Sequence, residues 1–345
     1  MNSVWFDELA SLVLARTGLS LREEDRRSIC KDIQLLVTKR VGQNYGEYIA
    51  LLRRQGMEST NEWHVLLDLL TINESFFFRD KGQFALLREH ILPELIAKNS
   101  AQRSLRIWSA ACAAGEEAYS LAILIRQLLG DEAPTWSVKI IASDISTVAL
   151  AKAMHGAYGA WSFRQVEPAV RSQYFTAKED EWHIHAWLKT MVDFRYGNLV
   201  EDILPSSPFC DFDLILCRNA FIYFQPETVA NVAQKLATCL RPDAYLMTGH
   251  SELGFPKITS LATRCIGDQV LYQQLQPLTM PAAASASAAT LRSAPPVLRA
   301  SPPVSRPSAS PMVSRVPPKT PDFNESIKEA ASQANLACYD AAIAA

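Results

Sequence analysis

Apolar residues in the first seventy positions recur at intervals of three and four: Leu9, Leu12 and Val13, then Ile29, Ile33, Leu36 and Val37. That spacing places them on one face of a helix. Thr17-Gly18-Leu19-Ser20 breaks the pattern and separates a first helix from a second. Two more helices are expected over 45–53 and 61–70, which makes this part a small helical bundle. From about residue 84 the texture changes. Strand-length runs at 105–110, 138–143, 192–198, 213–217, 244–250 and 269–275 alternate with helical stretches at 116–129, 146–155 and 226–240. Strands alternating with helices predict an α/β fold with a parallel sheet covered on both faces. Between 157 and 191 the alternation lapses, and EWHIHAWLK there predicts a small hairpin or edge insertion.

Residues 277–322 are dominated by Pro, Ala and Ser, with Arg292, Arg299, Arg306, Arg315 and Lys319 and no acid before Asp322. Such a stretch buries too little apolar surface to offset its ordering entropy, and a disordered linker is expected. Helical spacing returns over 323–345.

Composition narrows the function. The chain of 345 residues carries a net charge of −2, so no global basic field calls for nucleic acid or an anionic membrane. Within 1–70, nine Lys or Arg face ten Asp or Glu, so the bundle is not a basic arm either. No apolar run approaches the ~18 residues of a membrane span. Asp7 and Glu8 stand where a secretory leader would be basic, so a cytoplasmic location is expected. Seven scattered cysteines without a CxxC pattern read as buried thiols in a reducing compartment. His183 and His185 lie two apart, but no acid or cysteine is spaced to complete a site, and no metal is expected.

Four segments carry candidate chemistry. In 212–224, FDLILCRNAFIYF, an apolar strand delivers Arg218 and Asn219 to its carboxyl end, with Tyr223 following. Ligands of open α/β sheets bind at that edge. TINESFFFR (71–79) places Asn73, Ser75 and Arg79 beside an aromatic triplet that is most simply core. WSAACAAGEEAYS (108–120) occupies the position of a dinucleotide fingerprint but lacks most of its glycines. Glu116 and Glu117 at the following helix start would repel a pyrophosphate. They suit either the helix dipole or a ligand bearing an ammonium and a sulfonium, which argues for S-adenosylmethionine over NAD. Asp144, in ASDIS, ends the second strand, where an acid either accepts both ribose hydroxyls or caps the next helix with Ser146.

Together these segments, with LRPDAYLMTGHSE at 240–252, resemble the CheR-type chemoreceptor glutamate methyltransferases over roughly 1–276. The resemblance implies an all-helical domain over 1–75 and a Rossmann-like S-adenosylmethionine methyltransferase domain over 76–276, with a small inserted β-subdomain near 157–191. It implies methyl transfer to glutamates on cytoplasmic helices of a methyl-accepting receptor, leaving S-adenosylhomocysteine. By matching position it implies cofactor contacts at Asn73, Ser75, Arg79, Glu117, Asp144, Asn198, Leu199, Arg218 and Asn219, with Arg79 and Tyr223 nearest the transferred methyl. The linker and tail resemble the WspC-like branch with an appended tetratricopeptide region, which implies a protein partner for that tail.

There are departures. Asp32, Leu35 and Leu36 interrupt the basic run expected of the second helix, leaving Arg26, Arg27, Lys31, Lys39 and Arg40. Ser75 stands where Thr is common. Segment 181–191 lacks the glycine-containing loop associated with docking a receptor's C-terminal pentapeptide. The chemistry itself is undemanding of side chains. A glutamate with an unperturbed pKa of about 4.3 is already ionised near neutral pH, so the attack needs no general base.

Overall fold

A computed structural model describes residues 4–21, 26–42, 44–201, 208–250, 252 and 258–275; the expected linker (277–322) and helical tail (323–345) lie outside the described residues. Helices α1 (Val4–Thr17), α2 (Arg26–Val41), α3 (Tyr45–Arg53) and α4 (Met57–Leu70) share one core. Leu9, Val13, Ile33 and Val37 are buried in it with Tyr48, Trp63, Leu66 and Leu67, while Leu12, Ile29 and Leu36 pack partly buried at its edge. Each full burial of such a side chain contributes about 1.5–3 kcal/mol. Helix α4 begins at Met57 rather than at 61, because its first turn, Met-Glu-Ser-Thr, carries little apolar periodicity. Ser59 secures that turn by donating its hydroxyl to the Leu52 carbonyl at 3.1 Å.

Gly18 ends α1 with φ +72, and a Cβ there would stand 2.6 Å from Thr228 Cγ2. Only glycine lets the bundle approach the sheet domain this closely. The next residues are joined to that domain by backbone: Ser20 N–H donates to the Tyr223 carbonyl at 2.9 Å, and Leu19 bridges Phe224.

The main sheet holds β1 (Ser104–Ala110), β2 (Ser137–Asp144), β6 (Val192–Tyr196), β7 (Phe212–Cys217), β8 (Leu240–Thr248), β9 (Leu261–Ile266) and β10 (Gln269–Gln274), in the order β6-β2-β1-β7-β8-β10-β9. The first five are parallel, and β10 is antiparallel to both β8 and β9. The sheet is therefore mixed rather than wholly parallel. Strand β9 escapes the apolar pattern because LATRCI is exposed or half-buried along its length. Alternation along the inner strands feeds two cores, as a two-sided sheet requires. Leu105, Ile107, Leu214 and Leu216 meet helix α7 (Glu116–Leu129), while Trp108, Ile215 and Leu246 meet α11 (Pro226–Thr238) on the other face.

Two features go beyond the sequence pattern. Residues 81–98 form a helix, α5 (Lys81–Leu86) running through a π turn (Leu87–Ile91) into α6 (Leu92–Lys98). The lapse at 157–191 is a separate three-stranded sheet, ordered β3-β5-β4, of β3 (Ala157–Tyr158), β4 (Phe175–Lys178) and β5 (Glu181–Ile184), with α9 (Pro168–Tyr174) between β3 and β4. Helix α8 (Thr147–His155) leads into it from β2.

Candidate active site

The chain leaves β1 for β2 on one side and pairs β7 on the other, so the sheet's topological switch point lies at the carboxyl ends of these strands. A cleft opens there. Asn73, Ser75 and Arg79 line it from the segment after α4; Glu117, Asp144, Asn198 and Leu199 line it from α7 and the ends of β2 and β6. Arg218, Asn219 and Tyr223 line it from beyond β7. All ten residues singled out in the sequence surround this one space.

The loop between β1 and α7 folds back tightly. Ala111 (φ +60), Ala113 (φ +49) and Gly115 (φ +87) all adopt left-handed backbone. Strain of this kind costs about 1–3 kcal/mol per non-glycine residue and persists only where surrounding contacts impose it. Asp144 imposes it here: Ala113 N–H donates to one carboxylate oxygen at 2.8 Å, and Ser146 N–H to the other at 2.9 Å. Burial pushes the Asp144 carboxyl above the usual aspartate range, against the lowering pull of those N–H groups. The helix cap belongs to Ser146, whose hydroxyl accepts from Ala149 N–H at 3.1 Å. Asp144 therefore organises the loop and faces the cleft, rather than capping α8.

Glu117 is held at both oxygens. The Ser109 hydroxyl donates to Oε1 at 2.7 Å, and Arg218 Nη1 donates to Oε2 at 3.0 Å. The Arg218 side chain is only 3% exposed. Its Nη2 donates to the Arg79 carbonyl at 2.7 Å and its Nε to Gln83 Oε1, while Gln83 Nε2 donates to the Thr248 carbonyl at 2.7 Å. Arg218 is thus a buried tie between α7, the 79–83 segment and β8. Gln83 was not foreseen, and nothing local in KGQFAL distinguishes it from a surface residue.

Other predicted residues brace the walls. Asn73 Nδ2 donates to Ser146 Oγ at 3.2 Å, and the Ser146 and Thr147 hydroxyls donate to Asp68 of α4 at 2.8 and 2.7 Å. Ser75 bonds the carboxyl of Glu116, which also accepts from the Ser162 hydroxyl at 3.1 Å; burial pushes Glu116 upward as well. Asn198 Nδ2 donates to the Arg16 carbonyl at 2.9 Å, tying β6 to α1. Asn219 has φ +59, and its N–H donates at 2.9 Å to Glu252, a second carboxylate that sequence reasoning passed over. Arg79 Nη1 donates to the Glu74 carbonyl at 2.8 Å, and its guanidinium carbon lies 5.7 Å from the centre of the Phe76 ring.

In chemical terms the cleft offers the carboxylates of Glu117 and Asp144, the guanidinium of half-buried Arg79, and a loop whose small residues allow backbone to meet a ligand directly. Cys112 also lines it, but burial holds that thiol well above its ordinary range, so it is not poised as a nucleophile. No histidine lines the cleft among the described residues.

Known proteins resemble this chain over the region that holds the cleft. The family described as CheR methyltransferase, SAM binding domain, matches residues 73–265, more than half of the chain. A chemotaxis protein methyltransferase from Borreliella burgdorferi is 34% identical over 254 residues, covering 71% of this chain and 88% of that protein. Chemotaxis protein methyltransferase 1 of Pseudomonas aeruginosa is 33% identical, covering 71% and 89%, and the Escherichia coli protein is 30% identical, covering 73% and 85%. With an S-adenosylmethionine-type cleft at the switch point and a match running from Asn73 through the sheet, this chain belongs to the CheR methyltransferase family.

Proposed function

We propose that the protein transfers a methyl group from S-adenosylmethionine to glutamate side chains of a methyl-accepting chemotaxis-type receptor, forming glutamyl methyl esters. The observation that carries this reading is the convergence of Arg79, Tyr223, Glu117 and Asp144 on one cleft. The donor set fits the cofactor: Asp144 faces the cleft with acceptor capacity for a ribose diol, Glu117 for an ammonium, and apolar Leu199 for the face of an adenine. When bound, S-adenosylmethionine supplies an electrophilic methyl on a sulfonium. Arg79 and Tyr223 then orient the incoming carboxylate and exclude water from it, and positioning of this kind is worth up to about 7–11 kcal/mol of the barrier. A carboxylate attacks without losing a proton, which suits a cleft that presents no histidine among its described lining.

The names of the relatives support a receptor as substrate. No helix among the described residues is long and apolar enough to cross a membrane, and a cytoplasmic enzyme meeting the receptor's cytoplasmic helices fits that. The tail over 323–345 is read from sequence alone as a recruiting helix for a further protein. Labelled methyl transfer to receptor fragments, followed by mild alkali, tests the function. Release of the label as methanol is expected; a product that survives alkali overturns the ester.

A further inference from the structure

Aromatic and cationic side chains alternate from the protein surface into the cleft. Trp161 sits on the short turn Ala160–Phe163, between β3 and α9, and is 68% exposed. The Arg164 guanidinium carbon lies 4.2 Å from the Trp161 ring and 3.4 Å from the ring of Phe76. Phe76 in turn carries the Arg79 guanidinium. Arg164 also donates to the Trp161 carbonyl at 3.0 Å and to the Glu74 carboxylate at 3.2 Å. Two of its five N–H groups are engaged by these bonds, and the planar fork is suited to a further carboxylate.

Packing does not account for Trp161. Its turn is already anchored by Phe163, which stacks on Phe77 at 5.1 Å between ring centres. Ile72 is 65% and Ile222 47% exposed, and both line the opening of the cleft that Phe76 and Arg79 share. Apolar groups flanked by two guanidiniums match one kind of surface: an amphipathic helix with acidic residues about one turn apart.

We propose that Trp161 and Arg164 form the docking platform for the substrate helix. The helix lays its apolar stripe across Trp161 and Ile72, and one acidic residue meets Arg164. A glutamate about a turn away then enters the cleft toward Arg79. Arg164 is a positioning residue: its guanidinium grips the substrate helix outside the cleft. This inference rests on the reading of the cleft as a glutamate methyltransferase site.

The test is steady-state transfer of labelled methyl by the full chain to the cytoplasmic fragment of a methyl-accepting receptor, with the fragment varied. Trp161→Ala and Arg164→Ala are expected to raise KM for the fragment about tenfold, with kcat changed by less than about threefold. Arg164→Lys should recover part of the loss, since a cation remains. Calorimetric affinity for S-adenosylhomocysteine should match wild type in all three, because neither residue lines the cleft. A KM within about twofold of wild type, or a loss confined to cofactor affinity, overturns the platform. A wild-type protein that methylates no receptor fragment overturns the proposed function, and the platform with it.

Discussion

Arg218 Nη1 stands 3.0 Å from Glu117 Oε2, with both side chains withdrawn from solvent where the sheet changes direction. Truncating one partner of such a pair strands the other's charge, at a cost of about 3–5 kcal/mol. Arg218→Ala should therefore lower the unfolding free energy by that amount in denaturant titration, with Gln83 and the Arg79 carbonyl also left without a donor. The exposed pair Arg53–Glu8, at 2.8 Å, is the control. Arg53→Ala should cost less than about 1 kcal/mol.

Arg79 is half-buried, and its guanidinium donates to the Glu74 carbonyl. Arg79→Ala should leave the melting temperature within a few degrees of wild type, yet lower kcat about a hundredfold or more, as misplacing a reacting group does. Tyr223→Phe keeps the ring and removes only the hydroxyl. A smaller loss in kcat is expected, and unchanged turnover in either variant would remove that residue from the chemistry.

The pH response follows from Asp144. Its carboxyl in the folded protein takes up a proton at higher pH than the ordinary 3.8, because burial disfavours the charge. The ionised acceptor is lost as pH falls through that raised value. Affinity for S-adenosylhomocysteine should thus fall as pH is lowered, beginning at a higher pH than a free aspartate would titrate. Glu116 and Glu252 shift in the same direction, so Asp144→Asn is the discriminating variant: weak binding throughout, with this part of the pH slope gone. The sign for stability is opposite. Between the unfolded and folded values the native state holds the extra proton, so the Asp144 contribution to stability falls as pH rises.

Gly115 combines φ +87 with a crowded approach, since a Cβ there would lie 2.8 Å from Ala153 Cβ and 2.9 Å from the Phe194 ring. Gly115→Ala should cost about 1–3 kcal/mol through strain and overpacking. It should also weaken cofactor affinity, because the loop held by Asp144 must move. Thermal unfolding and calorimetry on the same sample check both.

Much of this is legible in the sequence. Helix α7 is expected over 116–129 and spans those residues, because its apolar face is wide and Glu116 and Glu117 mark its start. Strand β7 is a continuous apolar run and is buried throughout. What could not be read depends on distant partners. Arg218 looks in sequence like a free ligand-facing cation, yet its hydrogen bonds reach back more than a hundred residues to Gln83, Glu117 and Arg79. The α5–α6 helix and strand β9 were hidden for a different reason. The first spans a π turn that shifts its periodicity, and the second lies at the sheet's outer edge, where no apolar alternation is required. Ser75 keeps its hydroxyl role, but its partner Glu116 became visible only once α7 and the 71–79 segment lay side by side.

The seam between Leu19 and Phe224, closed by the hydrogen bond from Ser20, joins two segments far apart in the chain, the second leaving the ribosome long after the first. The bundle can gather its own core during synthesis, but its share of the cleft wall waits for residues 218–224 to arrive. A chain that stops short of residue 218 therefore lacks Arg218, Asn219 and Tyr223, and with them one wall of the cleft.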